Sequence, residues 1–117
     1  KILVGEDEKP LARALALKLT KSGFEVQNAY DGQAALEAVK KDKFDLILLD
    51  LVMPVTDGFA VLEELQKQSN TTPVIVLSNL GQDEDLKRAK ALGARSFFIK
   101  ASTPLASIVA EAQKLLG

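Results

Sequence analysis

The chain contains no cysteine and no histidine. Without thiols there is no disulfide, no zinc–thiolate or iron–sulfur centre and no cysteine nucleophile. Without imidazole the commonest general base, the commonest transition-metal ligand and every Ser-His-Asp triad are excluded. No apolar run approaches the roughly 18–20 residues needed to span a bilayer, and no signal peptide is visible, so the expectation is a cytoplasmic protein with no membrane partner. An excess of one charge is lacking as well. Fifteen basic and sixteen acidic side chains leave a formal net charge of -1, which gives no electrostatic case for direct nucleic acid binding.

What is present suits a globular protein. With 117 residues, 47% hydrophobic and 26% charged, the chain is long enough to bury a core, and positions 1–117 read as a single domain. Three runs are continuously apolar: Ile2-Leu3-Val4, Leu46-Ile47-Leu48-Leu49 and Val74-Ile75-Val76-Leu77. Unbroken apolar strands belong in the middle of a parallel sheet covered by helices on both faces. Phe24-Glu25-Val26-Gln27 alternates and suits one edge; Ser96-Phe97-Phe98-Ile99 suits the other.

Helical patterns separate these runs. Residues 9–22 place Leu11, Leu15 and Leu19 on one face and stop before Gly23; residues 32–42, 58–69 and 83–92 follow. The last helix has Thr103 as N-cap, Pro104 at its first position, and a stripe of Leu105, Ile108, Val109, Ala112, Leu115 and Leu116. Five βα units in strict alternation predict an α/β fold, a doubly wound five-stranded parallel sheet with right-handed crossovers; with the second strand at one edge and the fifth at the other, the strand order becomes 2-1-3-4-5.

In such a sheet ligands bind beyond the carboxyl ends of the strands, where strand order reverses. The residues after the apolar runs are therefore informative. Glu6, Asp7 and Glu8 follow the first, Asp50 the third, Ser78 the fourth and Lys100 the fifth. Any one of them is explained as a solvated strand end. Together they bring carboxylates, a hydroxyl and an ammonium to one rim. Carboxylates gathered there repel one another unless a cation joins them, and oxygen ligands without His or Cys select Mg2+ over zinc or copper. A carboxylate nucleophile, a metal, a lysine and a hydroxyl are the parts needed to accept and hold a phosphoryl group.

The ordered segments ILVGEDE, LILLDLVMPVTDG, PVIVLSN and GARSFFIK resemble the receiver domains of bacterial two-component response regulators, over essentially the whole chain. The resemblance implies a flavodoxin-like three-layer sandwich that acts as a phosphorylation-dependent switch in a phosphorelay. It implies Asp50 as phosphoacceptor, with Ser78 and Lys100 contacting the phosphoryl group. Mg2+ would be ligated by Asp7, Asp50 and the backbone carbonyl of Val52, with Glu6 reaching it directly or through water. Phe97 falls at the switch-aromatic position. The implied partners are a sensor histidine kinase or phosphotransfer protein and a downstream protein target, bound through the face of the fourth helix, fifth strand and fifth helix. Such a domain is not a conventional enzyme; it catalyses only its own phosphorylation and slow dephosphorylation.

The sequence departs from the family pattern at several points. Glu6 stands where aspartate is common, Ala101 follows Lys100 where proline is usual, and Asn79 is bulkier than the small residue usual beside Ser78. Val52 and Leu80 are apolar at positions that in relatives orient or exclude the hydrolytic water, which predicts a long-lived phospho-aspartate. Other readings are a flavin protein, a metal-dependent phosphohydrolase, or a degenerate receiver acting as a phosphorylation-independent interaction module. A hydroxyl- and glycine-rich phosphate loop after the first strand would mark the flavin protein, and a second aspartate two residues after the nucleophile the phosphohydrolase. Neither is present.

Overall fold

A computed structural model describes residues 1–53, 55–79 and 83–116. Among these described residues five strands alternate with five helices: β1 (Ile2–Gly5), α1 (Lys9–Lys21), β2 (Val26–Ala29), α2 (Gly32–Lys41), β3 (Leu46–Asp50), α3 (Gly58–Lys67), β4 (Val74–Ser78), α4 (Asp83–Ala91), β5 (Ser96–Ile99) and α5 (Leu105–Leu116). A 3-10 turn (Lys100–Ser102) joins β5 to the last helix. All strand pairings are parallel, in the order β2-β1-β3-β4-β5.

Period-two geometry splits the apolar strands between two cores. Leu3, Ile47, Leu49, Val74 and Val76 point to one face, where Ala35 of α2, Phe59, Leu62 and Leu65 of α3, and Ala89 of α4 cover them. Ile2, Val4, Leu46, Leu48, Ile75 and Leu77 point to the other, against Ala12, Leu15 and Leu19 of α1 and Ile108, Val109 and Ala112 of α5. The central strands are buried on both sides because each is apolar up to its carboxyl end, where β3 closes on Asp50 and β4 on Ser78. Shortening a fully buried side chain such as Leu48 or Leu62 to alanine should cost about 2–5 kcal/mol.

The four-residue alternation at 24–27 does not coincide with the edge strand, which runs two residues later. The reason lies in how α1 ends. Gly23 takes φ of 97°, its N–H donates to Thr20 O, and the Phe24 N–H donates to Leu19 O. This pair of reversed bonds closes the helix and commits Phe24 to packing over it. Residue 25 follows, and pairing with β1 begins at Val26 opposite Ile2. The last helix starts at Leu105, one residue later than the proline signal suggested, with Ser107 N–H donating to Pro104 O.

Helix α4 is held more lightly than its neighbours, since Ala89 is its one buried residue among those described. Arg88, itself exposed, lies 4.1 Å from the centre of the Phe59 ring and 3.4 Å from a Glu63 oxygen on α3.

Candidate functional site

Strand register decides what meets at the carboxyl rim. Gly5 pairs with Leu49, Asp50 with Leu77, and Ser78 with Ile99, so the ends of β1, β3, β4 and β5 fall level. Glu6 follows directly after β1, and its N–H donates to Ala29 O in β2. Asp50 and Ser78 are the last residues of their strands, and Lys100 opens the turn after β5. Glu6, Asp50 and Ser78 are buried, whereas Asp7 is half-buried.

Lys100 reaches back across the rim. Its Nζ lies 2.8 Å from Glu6 Oε1, 2.8 Å from Glu8 Oε2 and 2.9 Å from Asp50 Oδ2. The remaining oxygens of the two buried acids are held by backbone: Glu8 N–H donates to Glu6 Oε2 at 3.0 Å, and Val52 N–H donates to Asp50 Oδ1 at 3.1 Å. Asp7, Glu8, Asp50, Val52, Asn79 and Lys100 line a cleft of about 270 Å³ above this cluster. A larger hollow of about 540 Å³, beside Phe44 and Asn70, contains no comparable cluster of acids among the described residues.

Charge crowding shows in the proton affinities. Burial pushes Glu6 up to about 7; the neighbouring Asp50 charge adds to this, while Lys100 and the Glu8 amide oppose it. Burial alone would loosen the proton on Lys100. Contacts to Glu6, Glu8 and Asp50 outweigh that and hold the ammonium well above the usual lysine range. Lys100 is charged at any physiological pH, and Glu6 sits at the edge of ionisation.

One oxygen each from Glu6, Asp7 and Asp50 can be brought within 4.8 Å of one another. Three hard oxygen donors, two of them buried, fit a small divalent cation such as Mg2+. Val52, the residue expected to add a carbonyl, stands at the cleft with its side chain exposed.

The loop after β3 is fixed by a close approach. Gly58 N–H donates to Leu51 O at 2.9 Å, and Asp57 caps α3 by accepting from Ala60 N–H. A Cβ on Gly58 would lie 2.3 Å from Asp50 O and 2.6 Å from Leu51 Cα. Glycine there is required by the backbone of Asp50 itself, a stronger reason than the turn punctuation that sequence offers.

The description "Response regulator receiver domain" belongs to the family model that matches residues 2–111. The chain belongs to this family. Regulatory protein VanRc of Enterococcus gallinarum is 37% identical over 105 residues, covering 90% of this chain and 45% of that protein. The chain spans a little under half the length of the curated relatives it matches. The receiver domain of the Francisella response regulator 1452 superposes with a TM-score of 0.92 at 30% identity, covering 97% of this chain and 93% of its own. Response regulator protein TrrA from Thermotoga maritima, in complex with Mg2+ and BeF, gives 0.85 at 27% identity, covering 97% and 96%.

Among the residues singled out from this receiver's sequence, Glu6, Asp7, Asp50 and Lys100 lie together at the rim, and Ser78 ends the adjacent strand. Phe97 is half-buried on β5 and packs toward the α2–α3–α4 core. Leu80 and Pro54 lie outside the described residues. The Lys100–Ala101 bond is trans. Two contacts went unforeseen. Glu8 adds a third carboxylate to Lys100, because as N-cap of α1 it is turned back over the rim. Asn79 and Ala101, noted separately as departures, touch each other: Ala101 N–H donates to Asn79 Oδ1 at 2.9 Å.

No helix among the described residues is long and apolar enough to cross a membrane.

Proposed function

We propose that this receiver accepts a phosphoryl group on Asp50, from a sensor histidine kinase or a phosphotransfer protein, and thereby changes which protein partner it binds. The observation that carries this reading is the Lys100 ammonium lodged 2.9 Å from Asp50 Oδ2, beside three acids whose oxygens converge. Nothing in ordinary core packing calls for so many charges at the closed end of an apolar sheet, whose desolvation is costly.

In the proposed reaction a carboxylate oxygen of Asp50 attacks phosphorus. The bond from phosphorus to a phosphohistidine nitrogen breaks, and its electron pair returns to the donor's imidazole. Glu6, Asp7 and Asp50, with the Val52 carbonyl, would hold Mg2+, which when bound would supply charge neutralisation at the phosphoryl oxygens. Lys100 leaves the carboxylate for a phosphoryl oxygen without travelling far. The Ser78 hydroxyl donates to another, drawing in the loop after β4. Phe97 is assigned the role of following that movement, so that the α4–β5–α5 face differs between the two states. Light anchoring of α4 supports this part, since a helix with one buried residue shifts at small cost. Lys100 standing at Asp50, despite Ala101 beside it, tells against a degenerate interaction module.

The test is fluorine NMR and intact-mass analysis with beryllofluoride and Mg2+, comparing the parent with Asp50→Asn. An adduct on the parent alone, dependent on Mg2+, is the expected result. No adduct at millimolar Mg2+ would sink the reading.

A further inference from the structure

The phosphoryl-binding groups assigned above come from two separate loops. Ser78 closes β4, and Lys100 opens the turn after β5. Each is followed by one residue, and those two residues are bonded to each other. Asn79 Oδ1 accepts from Ala101 N–H at 2.9 Å. Both partners are needed for the link: the side chain at 79 must carry an acceptor, and the residue at 101 must keep its N–H, which a proline lacks. The bond therefore spans the gap one residue beyond the hydroxyl and one residue beyond the ammonium, and Asn79 also lines the cleft.

We propose that Asn79 is a positioning residue for anion capture, which fixes the backbone spacing of Ser78 and Lys100 by its hydrogen bond to Ala101. The inference rests on the phosphoacceptor reading. A phosphoryl group has to be met by the hydroxyl and the ammonium at once, and a tie between their backbones removes the freedom that would otherwise be lost on binding. Asn79 lies outside the group Glu6, Asp7 and Asp50, whose oxygens converge for a cation. The tie is made to none of these acids and so acts on the anion side of the site.

That separation provides the test. Asn79→Ala, Ala101→Pro and the double variant are compared with the parent in Mg2+ titrations without anion, and in beryllofluoride titrations at saturating Mg2+ followed by fluorine NMR. Either single variant is expected to weaken beryllofluoride binding about three- to tenfold, the scale of one hydrogen bond, with Mg2+ affinity unchanged. The double variant is expected to lose no more than a single one, because both changes delete the same bond. Equal loss of Mg2+ and anion affinity would make Asn79 a general support of the loop and overturn the proposal. So would strictly additive losses, or undiminished anion binding by Asn79→Ala. A parent that takes up no beryllofluoride would instead refute the phosphoacceptor reading, and this inference with it.

Discussion

A β-carbon added to Gly58 would stand 2.3 Å from the carbonyl oxygen of Asp50. The first turn of α3 therefore presses on the backbone that carries the proposed phosphoacceptor. Gly58→Ala must push the 50–51 segment or the helix away, and overpacking of this kind costs about 1–3 kcal/mol. Urea denaturation should show that loss. Beryllofluoride binding should fall further than stability does, because Asp50 is displaced from Lys100.

Lys100 balances two carboxylates that are almost wholly removed from water. Replacing it with methionine strands them, and breaking a buried charge group in this way is expected to cost about 3 kcal/mol at pH 8. Millimolar Mg2+ should restore much of that loss by supplying the missing positive charge, more than it stabilises the parent. Thermal melts with and without Mg2+ measure the difference. If Mg2+ stabilised both proteins equally, the acids would not form a shared cation site.

The raised proton affinity of Glu6 gives a signed pH dependence. Its ordinary value of 4.5 rises to about 7 in the folded chain, so between those limits the folded state holds more protons than the unfolded one. Stability without metal should therefore decline as pH climbs from about 4.5 to 7, and then level off. Mg2+ affinity should do the reverse, rising through pH 7 as Glu6 gives up its proton. Calorimetric Mg2+ titrations from pH 5.5 to 8.5 test this, and Glu6→Gln should flatten the profile.

Among the described residues, two other than glycine adopt left-handed backbone: Val55, with φ of 68°, and Ser69, with φ of 54°. Ser69 ends α3 as Gly23 ends α1, with Ser69 N–H donating to Gln66 O and Asn70 N–H to Leu65 O. An L side chain held there costs roughly 1–2 kcal/mol, partly offset by the greater chain entropy glycine loses on folding. Ser69→Gly should stabilise by about 1 kcal/mol and raise Tm by about 4 °C, with anion binding unaltered. Val55→Gly, at an exposed β-branched position, should stabilise at least as much.

Particular residues show what sequence could and could not convey. Continuous apolar runs placed Leu48 and Ile75 in the central sheet, and the different character of the second and fifth segments marked its edges. The same runs marked where strands end, which brought Glu6, Asp50, Ser78 and Lys100 to one rim. The start of β2 was misplaced because Phe24 serves the cap of α1, and alternation cannot distinguish cap from strand. The contact of Glu8 with Lys100 depends on how α1 is entered, and that of Asn79 with Ala101 on the distance between two loops. Neither has a periodic signature. Gly58 was legible as a turn residue, but its pressure on Asp50 is a matter of ångströms between segments.

The ion pair of Lys100 with Asp50 joins residues 50 positions apart, across β4 and α4. Because a growing chain emerges from its N-terminal end, the acids at 6, 7 and 50 exist for some time before their counter-charge has been synthesised. Until the fifth strand docks, a kinase would meet an aspartate with no ammonium beside it. On the phosphoacceptor reading, competence to receive a signal thus becomes a certificate of completed folding, issued only when the last strand of the sheet is in place.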